Sequence, residues 1–194
     1  LEHYYVPTQF FFMALVIGVI PMLFKESGAR THFKWQHISV LLVSAVLVAS
    51  MAFLSPEKSG EPITTLNAST FLMLFLAGWL ASMAMLLPGI SGSFILLLLG
   101  VYPTAIYALS EFHVPLIVTI GSGVIVGFIV SSKGIRYALA RFPHMTYAII
   151  LGLIAGSVFV VYPGLPADGS TIAISVVTFG LGLGATRLLV MEQK

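Results

Sequence analysis

The sequence predicts an all-α polytopic membrane bundle, and three observations carry that prediction. The chain is 58% hydrophobic and only 8% charged. Its mean hydropathy is +1.04. Its apolar residues fall in runs of about 18 or more, the length that crosses a bilayer core. A soluble domain is about 25% charged, and it could not hide this much apolar surface from water. A net charge of +2 is too small for a nucleic-acid partner. Cysteine is absent, which excludes disulfides and thiolate metal sites. The histidines His3, His32, His37, His113 and His144 lack the spacing of a metal motif, so no metal or cofactor is expected.

The first two spans are read at residues 7–24 and 36–54. A loop rich in turn formers, 55–69, follows. The apolar block 70–109 comes next, broken once by Pro88, Gly89, Ile90, Ser91, Gly92 and Ser93. Three further spans are read at 114–132, 145–162 and 171–190. Tyr4, Tyr5, Trp35 and Tyr162 fit interfacial belts. The glycines of the last three spans fit close helix packing.

Loop charge sets the orientation. Lys25, Arg30 and Lys34 fill the first connection, and Lys133, Arg136 and Arg141 fill the one after 114–132. Arg187 and Lys194 lie near the C-terminus. The other connections are poor in cations: 55–69 has Lys58 against Glu57 and Glu61, 110–113 has Glu111, and 163–170 has Asp168. Cation-rich loops stay cytoplasmic. That places 25–35, 133–142 and the C-terminus inside, and 55–69, 110–113 and 163–170 outside.

The block 70–109 therefore leaves and returns to one face. It is either a re-entrant helical hairpin with residues 88–93 inside the membrane, or two full spans with that turn at the cytoplasmic surface. The short, uncharged turn favours the hairpin. Three spans follow it, and an odd number would invert a second copy of the unit in the bilayer. On that inverted-repeat transporter plan, 1–54 holds the last two spans of a first repeat and 70–194 is the second. The chain opens without Met inside an apolar run, so an upstream hairpin is expected to be missing from this piece. Gly18 with Pro21, and Gly156 with Pro163, are the internal echo.

The turn at 88–93 carries the chemistry. Pro88 ends the incoming helix, because it lacks an N–H and disfavours helix in the residue before it. Gly89 and Gly92 permit positive φ and close approach. Ser91 or Ser93 can cap the outgoing helix. Free amides beside hydroxyls suit a phosphate or carboxylate, and within hydrocarbon they must find some partner. A plain serine-capped turn has the same residues. Lys133, Arg136 and Arg141 are the candidate cations for an anionic headgroup, and Lys133 and Arg136 share a helix face. Ordinary topology signals explain them equally, and Arg187 can snorkel to the surface. Glu111 and His113 are a candidate proton-coupling pair, or simply a solvated loop.

The stretch 83–106, MAMLLPGISGSFILLLLGVYPTAI, resembles the DUF368 membrane proteins. Their pattern is Pro-Gly-(Ile/Val)-Ser-Gly-(Gly/Ser), followed by an apolar helix ending Leu-Gly-x-Tyr. Here it is met by Pro88–Ser93 and by Leu99, Gly100, Val101 and Tyr102. The second Pro-Gly copy of that family, nearer the N-terminus, is absent from this chain. The resemblance implies a flippase that recycles undecaprenyl phosphate from the outer to the inner leaflet of the bacterial plasma membrane. It also implies headgroup binding at Pro88, Gly89, Ser91, Gly92 and Ser93. The residues alone leave three other readings open: a carrier of another small anion or ion, a membrane lipid phosphatase, and a purely structural membrane subunit. No span of this piece holds a central Asp, Glu or His for hydrolytic chemistry.

Overall fold

The computed structural model describes residues 5–54, 60–164 and 168–191; side-chain positions are not described for Arg30, Leu189, Val190 and Met191. His3, Tyr4, Glu57, Lys58 and Lys194 lie outside the described residues. The described chain is helical: α1 Tyr5–Glu26, α2 Ala29–His32, α3 Trp35–Ser50, α4 Ala68–Leu86, α5 Gly92–Leu98, α6 Tyr102–Ser110, α7 Val114–Arg141, α8 Pro143–Val161 and α9 Gly169–Met191. A 3-10 turn, Met51–Phe53, extends α3. Six of the helical stretches are long and apolar enough to cross a membrane. The chain is therefore a multi-pass membrane protein. Its contacts divide into two compact units, 1–53 with 142–194, and 54–141.

In the first unit α1 packs on α9, α3 on α8 and α1 on α8. Small residues set the first two seams. A Cβ at Gly18 would lie 2.8 Å from the Oγ1 of Thr186, and one at Gly182 would lie 2.7 Å from the Phe11 carbonyl. The Thr178 hydroxyl donates to the Pro7 carbonyl at 2.9 Å. Numbers rise together along the seam, so α1 and α9 run parallel. In the other seam a Cβ at Gly152 would fall on the Ser44 Oγ and the Leu41 carbonyl, and one at Gly156 on the Ala45 carbonyl. Helices α3 and α8 are parallel by the same reasoning. Exchanging α1 with α8, and α9 with α3, maps one seam onto the other. The sequences follow that exchange: Ala14 to Ile20 reads ALVIGVI and Ala148 to Ile154 reads AIILGLI. Ala14 and Ala148 are both fully buried. Gly18 thus corresponds to Gly152, a different register from the glycine–proline echo.

In the second unit α4 packs parallel to α7. Gly123 sits against the Phe75 carbonyl and Trp79, and Gly127 against Trp79 and Ser82. The incoming arm of the hairpin, α4, is one helix, entered through Asn67. The Asn67 side chain accepts from the Thr70 amide, and Thr70 Oγ1 accepts from the Asn67 amide, each at 2.8 Å.

The outgoing arm of the 70–109 hairpin is two helices: α5 ends at its cap Leu99, at the Leu-Gly-x-Tyr stretch where the resemblance ends the apolar helix, and α6 meets it at 112°. A glycine cap explains the break. Gly100 takes φ 69°, its amide bonds to Leu97 and the Val101 amide to Leu96, and Leu96 packs against the core that holds Val101. Pro103 then opens α6. After the break the arm changes partner, since α5 packs on α4 but α6 packs on α7. Thr104, fully buried, accepts the Ile63 amide and ties the preceding loop to α6.

Candidate functional site

Leu87 leaves the α4 helix in extended conformation, its amide bonded to Ala84, and Pro88 follows. Gly89 takes φ 93°, a region that penalises any side chain. The Ile90 amide closes the turn on the Leu87 carbonyl at 3.4 Å. Ser91 is the N-cap of α5 with φ −92° and makes no side-chain cap bond. Its hydroxyl instead pairs with that of Ser93 at 2.8 Å. Gly92 is buried, because a Cβ there would lie 2.8 Å from the Ala81 carbonyl and against Met85. Glycine therefore lets α5 start flush against α4.

The turn thus holds Pro88, Gly89, Ser91, Gly92 and Ser93 together. The first amides of α5 have no partner within the helix, as at any helix start. Ser91 and Ser93 are exposed, so their two hydroxyls are open beside the helix start. With seven residues, α5 contributes little macrodipole. The turn is a neutral donor cluster, suited to the oxygens of an anion and lacking a counter-charge of its own.

The candidate cations lie elsewhere in the same unit. Lys133, Arg136 and Arg141 all belong to α7, which runs straight through the expected cytoplasmic segment. The α7 seam toward α4 is marked by Gly123, Gly127 and Ser131. The helical period turns Lys133 about 200° and Arg136 about 140° from Ser131, away from α4. All three cations are exposed. Continuing the seam by one turn sets Ser131 level with the end of α4, so Lys133 is the cation nearest in depth to the 88–93 turn.

Glu111 and His113 lie at the joint between α6 and α7, near the start of α4 rather than its end. They are about 28 Å, one α4 length, from the turn. They are not bonded to each other among the described residues. The His113 ring faces Tyr107 at 6.3 Å, and its Nδ1 is buried without a partner.

Sequence spacing gave no hint of two further features. In the first unit, His32 stacks on His144 at 4.6 Å with rings 6° from parallel, and His37 meets His144 edge-on at 6.3 Å. His144 Nδ1 donates to the Ser27 carbonyl at 3.1 Å. The Lys34 amide donates to His37 Nδ1 at 3.0 Å. The cluster pins the 27–34 connection to the start of α8. In the second unit, Trp79 Nε1 and Ser131 Oγ are buried without partners along the α4–α7 seam. Among the described residues no group of His, Asp or Glu is placed to hold a metal.

Residues 1–175 match the model of the undecaprenyl phosphate translocase-like family. The chain belongs to that family. It is 41% identical over 189 residues to a polyprenyl-phosphate transporter of Staphylococcus aureus, covering 94% of this chain and 67% of the relative. It is 29% identical over 156 residues to a polyprenyl-phosphate transporter of Vibrio cholerae, covering 80% of this chain and 46% of the relative. No solved structure matches. The family match extends well beyond the 24-residue stretch that carried the resemblance, into both units.

Proposed function

We propose that this chain is part of a carrier that moves undecaprenyl phosphate from the outer to the inner leaflet of a bacterial plasma membrane, with its C-terminus in the cytoplasm. The observation that carries the reading is the family match over residues 1–175, joined to a donor-lined break between the apolar helices α4 and α5. A bare phosphate cannot cross hydrocarbon, since an isolated buried ion costs tens of kcal/mol by idealised estimates. A polar turn at the edge of α4 and α5 would replace the lost water while the isoprenoid tail stays in lipid. Ser91, Ser93 and the amides of Gly92 and Ser93 would bind the phosphate oxygens. Pro88 and Gly89 would shape the turn, and Lys133, at the same depth, would balance charge as the headgroup leaves.

The two seams exchanged by swapping α1 with α8 and α9 with α3 support an inverted-repeat plan for the first unit, the arrangement that underlies alternating access. Proton coupling through Glu111 and His113 has less support, because they sit at the end of the unit away from the turn. The chain is read as a carrier, not an enzyme.

The test is leaflet-resolved transport of labelled polyprenyl phosphate in proteoliposomes. The expected result is transport by the wild type, with no inorganic phosphate released. Phosphate release would indicate a lipid phosphatase instead, and transport of small anions alone would reject the lipid cargo.

A further inference from the structure

A cavity of about 510 Å³ lies in the first unit, where α1 runs into the 27–34 connection. Its lining divides in two. Ile20, Pro21 and Phe24, from the last turns of α1, form an apolar floor, and Lys25 and Thr31 stand at a polar rim. With 22 residues, α1 is long enough to cross the hydrocarbon core, and Lys25 lies in its last turn. From Ile20 to Lys25 the helix rises about 7 Å, the depth of one headgroup layer. Local bonds hold the rim: the Ser27 hydroxyl donates to the Phe24 carbonyl at 2.8 Å and accepts the Ala29 amide at 3.2 Å. Gly28, at φ 63°, turns the chain, and the Ser27 carbonyl is tied to His144 on α8.

We infer that this cavity binds one anionic phospholipid, with its phosphate at Lys25 and Thr31 and the first carbons of an acyl chain against Ile20, Pro21 and Phe24. Lys25 is exposed, and among the described residues no carboxylate pairs with it. Glu26 is the one acid between residues 20 and 40, against Lys25, Arg30 and Lys34. The Thr31 hydroxyl lies 2.7 Å from His32 Nδ1 and 3.2 Å from the Gly28 carbonyl. When His32 Nδ1 carries the proton it donates to Thr31 Oγ1, and the hydroxyl proton is free to turn from that longer bond to a ligand oxygen. A soluble anion would leave the floor bare, and a purely apolar ligand would leave the ammonium unpaired. A lipid phosphate with its attached chain satisfies both, and a basic hollow at a helix end is the pattern that attracts anionic headgroups. The 88–93 turn belongs to the other unit, so this inference does not rest on the carrier reading.

The experiment uses the full-length protein, stripped of lipid in detergent, with bound molecules counted by native mass spectrometry. Three probes are titrated: phosphatidylglycerol, phosphatidylcholine with the same acyl chains, and glycerol phosphate. The variants are Lys25→Gln at the rim, Ile20→Trp, which fills the floor, and Lys34→Gln, the same charge change in the same connection but outside the cavity. Wild type is expected to bind phosphatidylglycerol about fivefold more tightly than phosphatidylcholine, and glycerol phosphate not at all at the same concentration. Lys25→Gln is expected to remove that preference, Ile20→Trp to weaken both lipids, and Lys34→Gln to change neither.

Equal losses in Lys25→Gln and Lys34→Gln would mean diffuse charge attraction and would overturn the site. So would equal binding of the two lipids by wild type, and glycerol phosphate binding as tightly as the lipid would make it a site for a free phosphate. Should Ile20→Trp fail to fold, phosphatidylglycerol with a photoreactive acyl chain decides on the wild type. Labelling concentrated at residues 20–24 supports the site, and labelling spread over all exposed helices overturns it.

Discussion

Gly18 lies directly against Thr186, and the threonine hydroxyl is turned back onto the Gly182 carbonyl of its own helix at 2.9 Å. Gly152 meets Ser44 in the same way, and the Ser44 hydroxyl is bonded to Val40 at 2.9 Å. Gly18 and Gly152 each close over a hydroxyl that already has an acceptor, while Ser175 Oγ on α9 is buried without one.

Adding side chains at these glycines should therefore open the seams. Gly152→Leu and Gly18→Leu are expected to cost about 1–3 kcal/mol each, the usual cost of overpacking. Gly152 should be the worse, because its neighbours include the Leu41 backbone while those of Gly18 are a side chain. Gly180 and Gly184 have nothing within 4 Å, so alanine there should be neutral or stabilising by up to about 1 kcal/mol. Unfolding in mild detergent, read by intrinsic fluorescence, checks the order.

The two positive-φ glycines of the second unit should separate by tolerance. Gly100 has φ 69° and open space around its missing side chain, so Gly100→Asn should fold with little loss and Gly100→Val should cost about 1–2 kcal/mol. Gly89, with φ 93°, lies outside the region asparagine favours, and both substitutions should be costly there. Thermal unfolding of the four variants reports this directly.

The histidine cluster makes a prediction about the 27–34 connection. His144→Phe keeps a ring for His32 to stack on but removes the bond to Ser27, leaving a largely buried carbonyl short of a donor. The expected loss is about 1–3 kcal/mol. His37→Ala removes the acceptor for the Lys34 amide at the start of α3, a capping loss of about 0.5–2 kcal/mol. Hydrogen exchange of residues 27–38 should quicken in both variants and stay unchanged in α4.

Ser131→Ala tests an unpaired group. The Ser131 hydroxyl is buried without a partner, and its removal should leave stability unchanged or raise it by up to about 1 kcal/mol. A loss of more than about 1 kcal/mol would mean that the hydroxyl has a partner in the membrane.

The spans were legible because bilayer thickness imposes its own length on the sequence: runs such as 145–162 and 171–190 fall within a few residues of α8 and α9. The 88–93 turn was legible because Pro88 and Gly89 end a helix by local sterics. The second break lies in LLLLGVYP, where hydropathy shows nothing and only the Leu-Gly-x-Tyr ending of the resembled pattern marked a helix end. The cap at Gly100 depends on a positive φ and on the packing of Leu96 with the Val101 core, and neither shows in hydropathy. The parallel pairs α1–α9 and α3–α8 join residues more than a hundred positions apart, so no local pattern could announce them. The gathering of His32, His37 and His144 depends on that same long-range pairing. The end of α7 differed for a plainer reason: residues 133–141 are polar enough to leave the membrane yet remain good helix formers.

The central claim is that a lipid phosphate binds at the Pro88–Ser93 turn. The chain has no cysteine, so Ile90→Cys places a single thiol in that turn. Its modification by a water-soluble thiol reagent should slow at least about tenfold when polyprenyl phosphate saturates the protein, with no change on adding the uncharged polyprenol. Equal rates with and without the phosphate, in a variant that still transports, would contradict the account.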